Sequence, residues 1–310
     1  LKKNKAAVVA LFILIGIILL AIFAPIFSKY SFRDTDYNNV YGLPSAAHIF
    51  GADQFGRDLW VRTWMGTRIS LMIALVAAIL DLVVGVLYGA VSALFGGKVD
   101  AGRQRIIEVL VGIPSLIIVI LFLMAFPAGV GTIIAALSIT GWVNMARLVR
   151  AEILKLKNQE FVLASQVLGT SKFNIIMKDL IPNTVSVIVI NVMFTIPSAI
   201  FTEAFLSFIG IGLAEPQASL GVLINGGYQV LRMYPHVLIF PAIVIVLIMV
   251  CFSILGDGLR DALDSRKAAS ARSLEELHED AMGSCRDFYT NIAEPEGRSH
   301  HKNTPVIITL

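Results

Sequence analysis

Two carboxylates stand where a carboxylate is costly. Asp81 lies inside an apolar stretch from Ser70 to Leu94, and Glu203 lies near one end of another, Thr184–Phe205. A charge held inside a bilayer is expensive, so such a residue marks either a tie between helices or a point on a path. Asn144 and Asn191 are amides at comparable depth, and Glu108 sits near the start of a further apolar run. Asp81, Asn144, Asn191 and Glu203 are therefore the candidates for lining a path, and each keeps helix-to-helix bonding as its alternative. No second acid or His lies at matching depth to relay a proton, which gives a proton-driven carrier little support. The chain has no GxxxxGK[ST] phosphate loop, no HExxH, no GxSxG and no Cys/His cluster. It is not expected to be an enzyme on its own, to bind ATP in the usual way, or to hold a metal or cofactor.

The elements that position these residues follow from composition. Of 310 residues, 56% are hydrophobic and 15% charged, against roughly 25% charged in soluble domains. The net charge of +3 is small and its basic residues are scattered, so nucleic acid is not an expected partner. Cys251 and Cys285 make no disulfide framework. Segments of about 20 apolar residues are the natural unit, because a backbone in lipid must be hydrogen-bonded within its own helix. Six are expected: Ala6–Phe27, Ser70–Leu94, Ile106–Phe126, Val130–Leu148, Thr184–Phe205 and Pro235–Ile254. The fold class is thus an all-α membrane protein. The first run is too long for a signal peptide, and five more follow it, so it reads as a retained anchor. With the N-terminus inside, the cytoplasmic pieces carry fifteen Lys and Arg and the outer pieces six. That asymmetry predicts both termini in the cytoplasm.

Three connections are long enough to have a task. Outside, residues 28–69 are expected to fold as a turn-rich cap, and Leu206–Tyr234 to contain a short interfacial helix. Inside, residues 150–183 read as two short helices, Asn158–Leu168 and Phe173–Leu180. Phe161, Leu163 or Ala164, and Leu168 share one side of the first. Gly169-Thr170-Ser171 is a stop and restart signal with Ser171 as N-cap, and Pro182 opens the next span. With no lipid to bury this apolar stripe, the pair either docks into another protein or packs on the base of its own subunit. Gly85 and Gly89 give a GxxxG spacing that permits close helix contact. After the five-helix core of residues 70–266, residues 267–310 form a polar, turn-rich stretch expected to be a flexible cytoplasmic tail, with a weak helix at Lys267–Asp280.

The stretch EFVLASQVLGTSKFNIIMKDLIPN, Glu160–Asn183, resembles the coupling segment of bacterial ATP-binding-cassette (ABC) importer permeases. Four more stretches resemble the peptide/nickel permeases within that group. They are GADQFGRDLW with GTRISL (Gly51–Leu71), IIEVLVGIPSLI (Ile106–Ile117), TEAFLSFIGIGL (Thr202–Leu213) and LGDGLRDALDSR (Leu255–Arg266). The likeness covers residues 1–266 and is greatest to the "C" subunit of dipeptide/oligopeptide importers. One departure stands out: Leu163-Ala164-Ser165 occupies the place of the family's Glu-Ala-Ala, and Glu160 lies nearly one turn earlier.

The resemblance implies a type I importer permease of six transmembrane helices in a bacterial cytoplasmic membrane. Its partners would be a second, "B"-type permease subunit, two ATPase subunits that carry ATP and Mg²⁺, and an extracytoplasmic solute-binding protein. It also implies coupling to the ATPases through Glu160, Phe161, Leu163, Ala164, Ser165, Leu168, Gly169 and Pro182. Arg57, Asp58 and Trp60, with Leu220–Leu231, would seal the outer mouth or receive the binding protein, unless those three only hold the outer loop's own fold. Dipeptides or oligopeptides are the expected cargo. A nickel, metal-chelate or glutathione importer is the runner-up, followed by a secondary carrier and a non-transporting scaffold.

Overall fold

Asn4 begins the first helix by accepting a hydrogen bond from the Ala7 N–H at 3.3 Å, one of the donors a helix start leaves unpaired. In the computed structural model, which describes residues 4–263, this helix is α1, Lys5–Phe27. It buries Ala7, Ala10, Leu14, Ile17 and Ala21, a stripe at helical spacing, while Phe12 and other large side chains face outward. An outward apolar face suits lipid as solvent. The helices that follow are α2 (Leu59–Phe95), α3 (Gly97–Gly112) and α4 (Ser115–Ala125). Then come α5 (Val130–Leu156), α6 (Glu160–Val167), α7 (Lys172–Phe208), α8 (Leu220–Gln229) and α9 (His236–Leu263). Among the described residues, five helices are long and apolar enough to cross a membrane, and α3 with α4 makes a sixth if the bent pair counts as one span.

Several boundaries differ from those read in the sequence. The expected third span, Ile106–Phe126, is broken: α3 and α4 meet at 80°. Ile113 is extended, at φ −103° and ψ 128°, because the ring of Pro114 disfavours a helical residue before it. The fourth span runs on to Leu156, with a break at Gly141. The sixth runs past its expected end at Ile254 and continues as helix to Leu263. The second short helix expected in residues 150–183 is not separate. Residues Ile175–Leu180 form a π-helical turn that carries Lys172–Asn174 directly into Ile181–Phe208. Pro182 therefore lies within α7 rather than opening it. The proposed tail 267–310, including Lys267–Asp280 and Cys285, lies outside the described residues.

The expected small-residue contact is present where α2 crosses α5. A Cβ on Gly89 would stand 2.4 Å from the Ala146 carbonyl oxygen, and one on Gly85 would stand 2.6 Å from the Cβ of Met145. Van der Waals contact of this closeness drives helix association where the surroundings are as apolar as the side chains. On the other faces of α2, Ala74 and Ala78 pack with α1, α7 and α9, and Ile73 and Ala77 pack with α4 and α5. Helix α2 is thus the central post.

Candidate functional site

Three places hold the residues singled out in the sequence. The first is a cavity of about 450 Å³ between α2, α4, α5 and α7. Asp81 enters it from α2, Ser115 from α4, Thr140 and Asn144 from α5, and Asn191, Thr195, Ser198 and Thr202 from α7. The four α7 residues recur at intervals of 4, 3 and 4, one face of a helix. That polar stripe inside an apolar span is legible in the sequence and extends the candidates beyond Asn191 to Thr195, Ser198 and Thr202. Asn144 Nδ2 donates to Asn191 Oδ1 at 3.4 Å, so these two amides face each other across the cavity. Asp81 is 5% exposed, and its Oδ1 has no hydrogen-bond partner within the chain. Its carboxylate sits against Gly141, where any Cβ would be 2.1 Å from Oδ2.

Glu203 is not among the cavity's lining residues. It is fully buried and accepts hydrogen bonds from Ser70 Oγ at 2.7 Å and from Ser207 Oγ at 2.9 Å. Ser70 in turn accepts the Leu220 N–H, and Ser207 accepts the Leu213 N–H. This carboxylate ties α7 to α2 and to the start of α8. Of the four polar candidates at span depth, the fold brings together Asp81, Asn144 and Asn191.

The second place is the hairpin after α5. Val162 is fully buried and packs with Ile153, Ile175, Ile176 and Leu180 at the base of the subunit. The opposite side is bare. Phe161 and Leu163 are exposed, and Val167 and Leu168 are 87% and 83% exposed. Glu160 and Ala164 are exposed and Ser165 half-buried. Packing on the own base and presenting an apolar face are therefore both true, on opposite sides of α6. Gly169 follows at φ +77°, a conformation that favours glycine. The Thr170 N–H returns to the Ser165 carbonyl at 3.0 Å, and Ser171 caps the next helix by accepting the Asn174 N–H. Val167 was missed in the sequence because its exposure depends on which side of α6 faces the base.

Just behind the hairpin, Arg150 of α5 makes a two-pronged ion pair with Asp100 of α3, at 2.6 and 2.5 Å. Ser92 of α2 adds a hydrogen bond to the same carboxylate at 2.6 Å. This junction joins the base of three helices. Nothing in the local sequence spacing announced it, since its partners are 50 residues apart.

The third place is the cap. Arg57 Nε donates to Asp53 at 2.7 Å, and Arg57 also pairs with Glu215 at 2.7 Å. Arg62, fully buried, reaches the same Asp53 at 3.1 Å. Asp58 caps α2 through the Val61 N–H at 2.8 Å and holds His48 Nδ1 at 2.8 Å. Trp60 packs edge-on against Phe50 and Trp64. All three residues thus hold the fold of the cap, and Arg57 also joins it to the loop before α8. Tyr41 stacks on Tyr234, and burial raises its phenol above the usual pKa.

Residues 82–269 match the family described as "Binding-protein-dependent transport system inner membrane component", and residues 1–44 match the "N-terminal TM domain of oligopeptide transport permease C". The chain belongs to this permease family. More narrowly, the permease is of the OppC/DppC type. It is 48% identical to the oligopeptide transport system permease OppC of Bacillus subtilis over 265 residues, covering 86% of this chain and 87% of that one. To the dipeptide transport system permease DppC of the same organism it is 47% identical, covering 86% and 83%. To the OppC of Escherichia coli it is 42% identical, covering 85% and 88%. Among solved structures, an inward-facing form of the MetNI methionine ABC transporter overlays with a TM-score of 0.53 at 19% identity, covering 63% of this chain and 94% of that one. That likeness shows the fold alone, the type I importer permease fold. The permease is accordingly a multi-pass inner-membrane protein and a non-catalytic transport subunit.

Proposed function

We propose that the permease forms one half of an ATP-driven pathway for dipeptides and oligopeptides. A second, homologous permease subunit completes the pathway, two ATPase subunits dock beneath it with their ATP and Mg²⁺, and an extracytoplasmic binding protein delivers cargo above. The names of the OppC and DppC relatives support the cargo. The observation that carries the coupling role is the two-sided hairpin. Val162 anchors α6 to the base, while Phe161, Leu163, Val167 and Leu168 turn an apolar face away from it. Such a face suits a groove on another protein, and a rigid anchor is what a transmitted movement requires. The Lys and Arg asymmetry supports placing this hairpin and both termini in the cytoplasm.

In this reading Asp81, Asn144 and Asn191 line the path, together with Ser115, Thr140, Thr195, Ser198 and Thr202. Nickel, chelate or glutathione cargo is favoured by no feature of the cavity, where Asp81 is the ionisable lining residue among the described residues. The test is purification from the native membrane in mild detergent, followed by identification of co-purifying chains and of labelled trialanine uptake with and without the permease. Recovery of a second permease and two phosphate-loop ATPases, with uptake lost on deletion, is the expected result. A chain recovered alone, with uptake unchanged on deletion, would reject the proposal.

A further inference from the structure

The cavity between α2, α4, α5 and α7 has an unusual balance of donors and acceptors. Thr195 and Thr202 donate their hydroxyl protons to the carbonyls of Asn191 and Ser198 on their own helix, at 3.0 and 2.8 Å. A hydroxyl used in this way presents lone pairs rather than a proton. Asp81 adds a carboxylate whose Oδ1 has no partner, and no Lys, Arg or His among the described residues forms an ion pair with it. Its position is enforced: Gly141 leaves open the space that the carboxylate occupies. A buried, unpartnered carboxylate among oxygen acceptors calls for a ligand that is both cationic and rich in donors. A metal ion fits less well, because no group of three His, Cys, Asp or Glu able to hold one occurs among the described residues.

We propose that Asp81 receives the protonated amino terminus of the peptide, making this cavity selective for cargo with a free α-ammonium group. The inference rests on the proposed peptide pathway and adds to it the group that is recognised and the residue that recognises it. Three N–H donors on the ammonium would meet Asp81 and the neighbouring threonine and serine oxygens. The remainder of the peptide would face the amides of Asn144 and Asn191.

The binding protein has its own selectivity, so the test omits it. The complete complex of both permeases and both ATPases is placed in lipid nanodiscs, and binding of radiolabelled trialanine and N-acetyl-trialanine is measured by equilibrium dialysis. A charge-assisted contact of about 1.5–3 kcal/mol corresponds to at least about tenfold tighter binding of the free amine. That preference should disappear in Asp81→Asn and persist in Asp81→Glu. Equal binding of the two probes by the unaltered complex would overturn the proposal, even if Asp81→Asn fails to assemble. An undiminished preference in an assembled Asp81→Asn complex would do the same. So would absent trialanine binding by a preparation that imports trialanine once binding protein is added. A preparation that imports no peptide under those conditions would instead overturn the peptide reading, and this inference with it.

Discussion

Gly169 shows how a backbone conformation, rather than crowding, can restrict a position to glycine. The sequence marks it as part of a stop and restart signal, and a Cβ placed there meets no atom within 4 Å. The constraint is the backbone itself, at φ +77°, where a β-branched residue is a genuine outlier. Gly169→Val should therefore distort the hairpin at a cost of about 1–2 kcal/mol, uncoupling ATP hydrolysis from uptake with the permease still in the membrane. Gly169→Asn, whose residue tolerates this region, should retain most uptake. Parallel measurements of ATPase activity and labelled-peptide uptake check both, and normal uptake by the Val variant would remove the coupling role. Glu203 teaches the complementary lesson. An acid in an apolar run announces a role, but which role depends on its neighbours, here Ser70 and Ser207. Glu203→Ala leaves buried hydroxyls without their acceptor and should destabilise the fold by about 1–3 kcal/mol, read as a lower thermal midpoint in detergent.

Between elements, contacts matter more than propensities. The GxxxG pair on α2 was visible in the sequence, but its partner was not, because small residues recur throughout membrane helices. The fold assigns it to Met145 and Ala146 of α5. Gly89→Leu should push α2 from α5 and cost about 1–3 kcal/mol or more by overpacking, with reduced assembly as the readout. The Asp100–Arg150 pair joins α3 to α5 directly behind the hairpin. Its expected contribution is to carry hairpin movement to the bent α3–α4 unit, whose Ser115 borders the cavity. Asp100→Ala or Arg150→Ala should reduce uptake more than it reduces the amount of permease in the membrane. The charge-exchanged double variant Asp100→Arg/Arg150→Asp should recover part of the loss, and an uptake unaffected by either single change would argue against this transmission.

On the scale of the molecule, the apolar face of α6 is the surface from which its association can be tested. Val167 and Leu168 are almost wholly exposed, so changing them should leave the subunit's own stability within about 0.5 kcal/mol. Val167→Asp with Leu168→Asp is expected to abolish co-purification of the ATPases while the permease remains folded and membrane-bound. Undiminished co-purification would place the ATPase contact elsewhere.

The sequence by itself determined the class of this protein and the order of its segments, because a backbone in lipid must satisfy itself within continuous helices and that demand is written as run length. It also marked the hairpin, through Gly169 and Ser171, because caps and turns are local. Helical rotation is different, being set by packing against chain that is distant in sequence. Only the tertiary structure decided that Asp81 lines a cavity while Glu203 ties helices together, that Val162 faces the base while Val167 does not, and that Arg57 and Asp58 hold the cap. It also decided how Pro182 is accommodated. The π turn before it carries the helix past a residue without an N–H, so Lys172–Asn174 and Ile181–Phe208 run on as one helix.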